Sequence, residues 1–275
     1  MRQNPCRSGL FCTVLLFCFF SVSAFSAEVP RIGQFYPAGY FSKPPVIDGE
    51  VAGDPVWDKV LEEKNFLKLG TKETAGKNTS FRVGYDDKNL YFGVICAEPD
   101  MDKIKAQPKD SELVWGYDGI EMFVFPSREP DCFQFAVNNA GAHLNLKAGN
   151  ANSFPLWDWQ VKTAKGKNFY SVETKIPFAV LGKKPRKGER WFFNVARNTF
   201  TPGSDLYTTW SYLKDRFYEP ENFGVVLFTG LPVGRTQAEK ILIREQWKET
   251  EEFISYYEKR DPVLSREIQS VLREI

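Results

Sequence analysis

From Phe66 to Phe228, apolar and polar residues alternate in short segments broken by Gly, Pro, Asn and Asp, the two-residue period of half-buried β-strands. Phe81, Val83 and Tyr85 alternate with Ser80, Arg82 and Gly84, which gives a strand with one face on a core. Leu90 to Cys96 is apolar on both faces, as expected of a central strand covered from two sides. Ile120-Met122-Val124, Phe133-Phe135-Val137, Tyr170-Val172-Thr174-Ile176 and Trp191-Phe193-Val195 continue the series. Strands at this spacing predict an all-β fold, an antiparallel jelly-roll-type sandwich of about 8–10 strands.

The pattern changes at both ends. Beyond Gly230 charge becomes dense, and Ile243, Trp247, Ile254 and Tyr257 recur on one face of a predicted helix from Arg235 to Glu258. Asp261-Pro262 supplies a cap and first turn for a second helix with the stripe Leu264, Ile268, Val271, Leu272 and Ile275. A helical pair of roughly 40 residues is small for a core of its own. It is expected to pack on the sandwich, with self-association or docking to another protein as the alternative. At the other end, Arg2 and Arg7 precede an apolar run from Leu10 to Phe20, followed by Ser21, Ser23, Ala24, Ser26 and Ala27, the layout of a secretory signal peptide. The run is shorter than the roughly 20 residues that cross a bilayer. The chain thus divides into a signal peptide (1–24), a linker (25–35), a sandwich (36–230) and a helical appendage (231–275), and a secreted, periplasmic or extracellular location is expected.

Loss of the signal removes Arg2 and Arg7 and leaves 34 basic against 35 acidic residues, a balance that points to neither nucleic acid nor an anionic membrane surface. Cys6, Cys12 and Cys18 leave with it. Cys96 at a strand end and Cys132 at a strand start fall at opposite ends of a meander, so free buried thiols are expected rather than a disulfide. His143 is the one histidine, which leaves no His-based zinc cluster and at most one imidazole for a catalytic triad. Asp118 and Glu121, three apart on a strand, face opposite ways and cannot readily flank one glycosidic bond.

The run Pro44-Pro45-Val46-Ile47-Asp48-Gly49-Glu50-Val51-Ala52-Gly53-Asp54-Pro55-Val56-Trp57 reads as an extended entry, a tight Asp48-Gly49 turn and a buried aromatic plug at Trp57. It is followed in order by Tyr85-Asp86-Asp87-Lys88-Asn89-Leu90-Tyr91-Phe92-Gly93-Val94, Asp118-Gly119-Ile120-Glu121-Met122-Phe123-Val124, Phe135-Ala136-Val137-Asn138-Asn139-Ala140-Gly141, Glu173-Thr174-Lys175-Ile176-Pro177-Phe178, Trp191-Phe192-Phe193-Asn194-Val195-Ala196-Arg197 and Phe223-Gly224-Val225-Val226-Leu227-Phe228. In this order the segments resemble the family 9 carbohydrate-binding modules and the wider DOMON-like sandwich group, over about residues 36–230.

The resemblance implies a sugar held between two tryptophans, and Trp115 and Trp210 match that pair best by position. Flat aromatic rings suit the apolar face of a pyranose, and amides, carboxylates and arginines suit its hydroxyls. Trp157 and Trp159 are further candidates, whereas Trp57 and Trp191 read as core. Arg197 and Asn198 could supply polar contacts, the arginine alternatively forming a salt bridge with Asp118 or Glu121. Asn138 and Asn139 could serve the site or build the turn before Gly141.

Such modules carry structural calcium, for which Asp48, Glu50, Asp86, Asp87, Glu98, Asp100 and Asp102 offer oxygens, although no cofactor is required. The expected function is non-catalytic binding of a glycan such as xylan or a cellulose-type oligosaccharide, in association with polysaccharide breakdown. The alternatives are a DOMON-type haem domain, with ligands drawn from Met101, Met122, His143 or a lysine, and an envelope protein-interaction domain with a degenerate cleft.

Overall fold

The structure, a computed structural model, describes residues 34–106, 108–110, 113–126, 132–147 and 157–272. The expected signal peptide and nearly all of the linker lie outside them. Among the described residues there are twelve strands: β1 (Phe35–Tyr40), β2 (Leu67–Lys68), β3 (Thr79–Tyr85), β4 (Asn89–Ala97), β5 (Gly119–Phe125), β6 (Phe133–Asn138), β7 (His143–Lys147), β8 (Gln160–Lys165), β9 (Phe169–Pro177), β10 (Arg190–Asn198), β11 (Tyr207–Thr209) and β12 (Gly224–Pro232). They form one continuous sheet in the order β7-β6-β5-β10-β12-β1-β3-β4-β9-β8, with β11 added to β10 and β2 to β11.

The sheet folds over so that its halves face each other. Phe81, Val83, Phe92, Val94 and Val172 meet Ile120, Met122, Phe135, Phe193 and Val195 in one buried cluster, the residues whose alternation marks the strands in the sequence.

Two features differ from expectation. β2 and β11, of two and three residues, are too short to show a period, and they bring the count above ten. The sheet is also not antiparallel throughout, because β1 runs parallel to both its neighbours, β12 and β3. A parallel pair needs a long crossover rather than a hairpin, and the chain between β1 and β3 supplies one.

That crossover contains the Asp48-Gly49 turn and Trp57. The Glu173 carboxylate on β9 accepts the Asp48 and Gly49 N–H groups, each at 2.9 Å, and the Trp57 indole N–H at 2.7 Å. Gly49 has φ +96°, and a Cβ there would lie 2.6 Å from the Thr163 carbonyl carbon, so both the backbone and the space require glycine. Trp57 is buried with Phe41, Val51, Val60 and Tyr91 on the sheet face away from the main core. Cys96 and Cys132 are buried free thiols.

Helices α1 (Arg235–Glu258) and α2 (Pro262–Leu272) close the chain. As expected, the appendage packs on the sheet: Ile241 is buried with Phe35 and Leu227, and Glu245 pairs with Arg190 at 2.7 Å. Asp261 caps α2, its Oδ1 accepting the Leu264 N–H at 3.1 Å. The packed face is not the predicted stripe, since Ile243 and Trp247 are 67% and 55% exposed. The buried face includes the ion-paired Glu245, and a charged residue at a contact position hides that face from an apolar pattern. No helix among the described residues is long and apolar enough to cross a membrane.

Candidate functional site

On β5, β6, β7, β10 and β11, residues that do not face the main core line the outer side of the sheet. Strand pairing places Leu144, Ala136, Glu121, Ala196 and Thr209 in one row across these five strands. The row two residues along contains Asn138, Gly119, Asn198 and Tyr207. A carboxylate flanked by two alanines, with a glycine two residues back on its own strand, thus has small neighbours on the outer side of the sheet.

Glu121 is the buried acid at the centre of the first row. Its carboxylate accepts the Gln134 Nε2–H at 2.6 Å and the Asn198 Nδ2–H at 2.7 Å. Burial pushes its pKa above the usual carboxylate range, against the pull of these two amides.

Aromatic residues rise on either side. Trp115, on a single 3-10 turn (Val114–Gly116), packs half-buried over a cluster made by Val114, Ala136, Ala142, Leu144 and Leu146. Across Glu121, Phe217 and Tyr218 pack on a cluster containing Ala196, Leu213 and Phe223. Tyr207, 41% exposed, meets Phe217 edge-on at 5.7 Å. Ala136 and Ala196, on either side of Glu121, are two strand spacings apart, about 10 Å.

Glu219 shapes the second wall. Its carboxylate accepts the backbone N–H groups of Lys214, Asp215 and Arg216 and the Asn222 amide, at 2.7–3.2 Å. Burial raises its pKa, but these donors outweigh burial and leave it lowered. A carboxylate inside a ring of N–H groups fixes the tight turn from which Phe217 and Tyr218 project.

Of the residues expected at the site, Trp115 and Asn198 lie on this outer side of the sheet, whereas Trp210, Arg197, Trp157 and Trp159 lie elsewhere. Trp210 is a core residue, 1% exposed, against Phe193 at 4.6 Å and edge-on to Phe81 at 5.3 Å. Arg197 lies on the opposite side of β10 from Asn198. It is buried beneath the Tyr170 ring, and its guanidinium donates to the Ala97 carbonyl at 2.9 Å and to Glu98 at 3.4 Å. Its ion-pair partner is therefore Glu98, neither Asp118 nor Glu121.

Trp157 and Trp159 pack on the core side, at the β6–β7 margin. Trp157 touches Phe133 and Phe135, and Trp159 touches Phe135 and His143 and donates to Asn145 Oδ1 at 3.0 Å. Asn138 Oδ1 accepts the Ala140 and Ala142 N–H groups, and the Asn139 amide donates to the Lys105 and Asp118 carbonyls. These two are therefore turn-forming residues. Gln134, Tyr207 and Phe217 carry no sequence signal of their own for this face, and Glu121 enters the sequence reading only as half of a hydrolytic pair or as a salt-bridge partner for Arg197. The sequence signal for the row is the outward parity that Glu121 shares with Ala136 and Ala196.

Two of the acids that could hold calcium, Asp86 and Glu98, are engaged internally. Asp86 accepts the Lys88 and Asn89 N–H groups and the Tyr91 hydroxyl, and Glu98 is bound by Lys77, Arg197 and Thr201. Among the described residues no three His, Cys, Asp or Glu side chains form a group able to hold a metal ion. For haem, Met122 is wholly buried in the core and His143, the first residue of β7, has its ring against the Gly141 carbonyl at 3.1 Å. A separate cavity between β1, β12 and α1, lined by Pro37, Val233, Gln237 and Ala238, has a volume of about 10 Å³, room for one water molecule.

Residues 47–231, from the turn docked on Glu173 to the end of β12, match the family described as carbohydrate family 9 binding domain-like. The chain belongs to that family. The family 9 region leaves out α1 and α2.

The chain is 30% identical over 162 residues to endo-1,4-beta-xylanase A of Thermotoga neapolitana, an alignment covering 56% of this chain and 14% of that enzyme. Its fold is similar to a family 9 carbohydrate binding module from Caldicellulosiruptor kristjanssonii, solved with glucose (TM-score 0.53, 21% identity, 72% of this chain and 96% of that one). The same module solved with cellotriose gives a TM-score of 0.52 at 22% identity, over 72% and 93% of the two chains.

Proposed function

We propose that this protein is an exported, non-catalytic carbohydrate-binding protein. A sugar ring lies on this outer face between Trp115 and the Tyr207–Phe217 pair, with its hydroxyls on Glu121, Asn198 and Gln134. The observation that carries this reading is the Ala136–Glu121–Ala196 row, a hydrogen-bonding floor with aromatic walls on both sides. Family membership supports it, as do the glucose and cellotriose held by the similar module. The xylanase relative adds xylo-oligosaccharides to the ligands to be tried and suggests a place in polysaccharide breakdown.

Recognition would combine stacking on ring faces with charge-assisted acceptance of hydroxyl protons by the carboxylate. Asp118 contributes no second reacting group, because its oxygens accept the Lys105 and Phe200 N–H groups on the buried side of the loop. The test is calorimetric titration with glucose, cello-oligosaccharides and xylo-oligosaccharides. Saturable binding, with a Kd in the micromolar to millimolar range (roughly −8 to −4 kcal/mol), is expected. Absence of heat and of any tryptophan fluorescence change across that panel would refute the reading.

A further inference from the structure

We propose that the outward face of α1 is a self-association surface that takes α1 of a second copy in antiparallel orientation. The inference is independent of the sugar site. α1 spans 24 residues, about 36 Å of helix. One side, with Ala238, Ile241 and Glu245, faces the sheet. The opposite side exposes Ile243 and Trp247, large apolar residues one turn apart. Trp247 stands at the middle of the helix, and its indole N–H donates to Glu251 at 2.7 Å, which fixes the ring along the helix surface.

The charges beside this apolar centre are divided by sign. Before Trp247 the outward positions carry Lys240 and Arg244, and after it they carry Glu251 and, at the helix end, the exposed Glu258, which also accepts the Gln269 Nε2–H of α2 at 2.8 Å. A two-fold axis through Trp247 reverses the second helix. Each basic half then lies on an acidic half, the two indoles meet at the axis, and the helix dipoles oppose. A parallel pair would set like charges against like. An isologous contact of this kind closes on itself and stops at a dimer. A single helix pair buries less than the roughly 1,600 Å² of a stable interface. Association is accordingly weak, with a Kd on the order of tens to hundreds of micromolar.

Sedimentation velocity of the purified protein over a wide concentration range tests this. A concentration-dependent dimer is expected, weakened at least tenfold by Trp247→Ala and by the double change Lys240→Glu with Arg244→Glu, and weakened by added salt. Mixing that double variant with one carrying Glu251→Lys and Glu258→Lys should restore association between the two. All these positions are exposed, and an unchanged melting curve would confirm that each variant folds. A monomer at every concentration, or a dimer indifferent to Trp247→Ala, overturns the proposal. A monomer that pellets with phosphatidylcholine vesicles through Trp247 also overturns it and assigns the face to a lipid surface.

Discussion

Two adjacent residues, Arg197 and Asn198, show how much of the site the sequence discloses. They point to opposite sides of β10, and the parity of Phe193 and Val195 already assigns Arg197 to the core. Asn198 therefore belongs outside, beside Glu121. Trp210 was not legible in this way, because β11 is too short to carry a period and its ring fills space left by Gly224, where a Cβ would lie 2.4 Å from it. The two tryptophans should separate in a simple experiment. Trp115→Ala is expected to weaken sugar binding at least tenfold in calorimetry with a melting temperature close to that of the unaltered protein. Trp210→Ala should cost about 3–5 kcal/mol in urea unfolding through the cavity it leaves. Glu121 adds a dependence on pH. Its pKa is raised in the folded state, so its contribution to stability is complete at low pH and is lost as pH rises through that raised value. Its contribution to sugar binding runs the other way, because the ionised form accepts hydroxyl protons. Affinity should fall as pH drops through a value above the usual carboxylate range, and Glu121→Gln should bind more weakly and lose this dependence.

Elements were read well where they are long and alternate, and poorly where their partners lie far along the chain. The faces of β3, β4, β5, β6, β9 and β10 follow from alternation, but nothing in the residues of β1 indicates that it lies between β12 and β3. The turns that hold elements together depend on single carboxylates distant in sequence. Glu173 joins the Asp48-Gly49 turn and Trp57 to β9 through three hydrogen bonds. Its replacement by Ala leaves those donors buried without an acceptor and should destabilise the fold by about 3 kcal/mol in denaturant titration. Glu219 does the same for the turn carrying Phe217. Glu219→Ala is expected to reduce sugar affinity several-fold while leaving most of the stability intact, because that turn lies at the edge of the core. A Glu219→Gln variant should recover part of the affinity, since an amide oxygen can still accept some of the N–H groups.

At the scale of the whole molecule, the proposed sugar-binding face and the outward face of α1 are separate surfaces. A dimer formed through α1 would carry two sugar-binding faces, and binding to an insoluble polysaccharide would then exceed binding to a soluble trisaccharide through effective concentration alone. In a pull-down on cellulose or xylan, Trp247→Ala should lower retention while leaving the calorimetric affinity for the trisaccharide unchanged. The parallel strand β1 also governs the order of folding. It stands between β3, the next long strand, and β12, the last, so its hydrogen bonding is incomplete until almost the whole chain is available. Contacts of such long sequence separation form late and slowly. A chain still being synthesised has no β12 for β1 to pair with, so one side of that first strand stays open until the final strand is available.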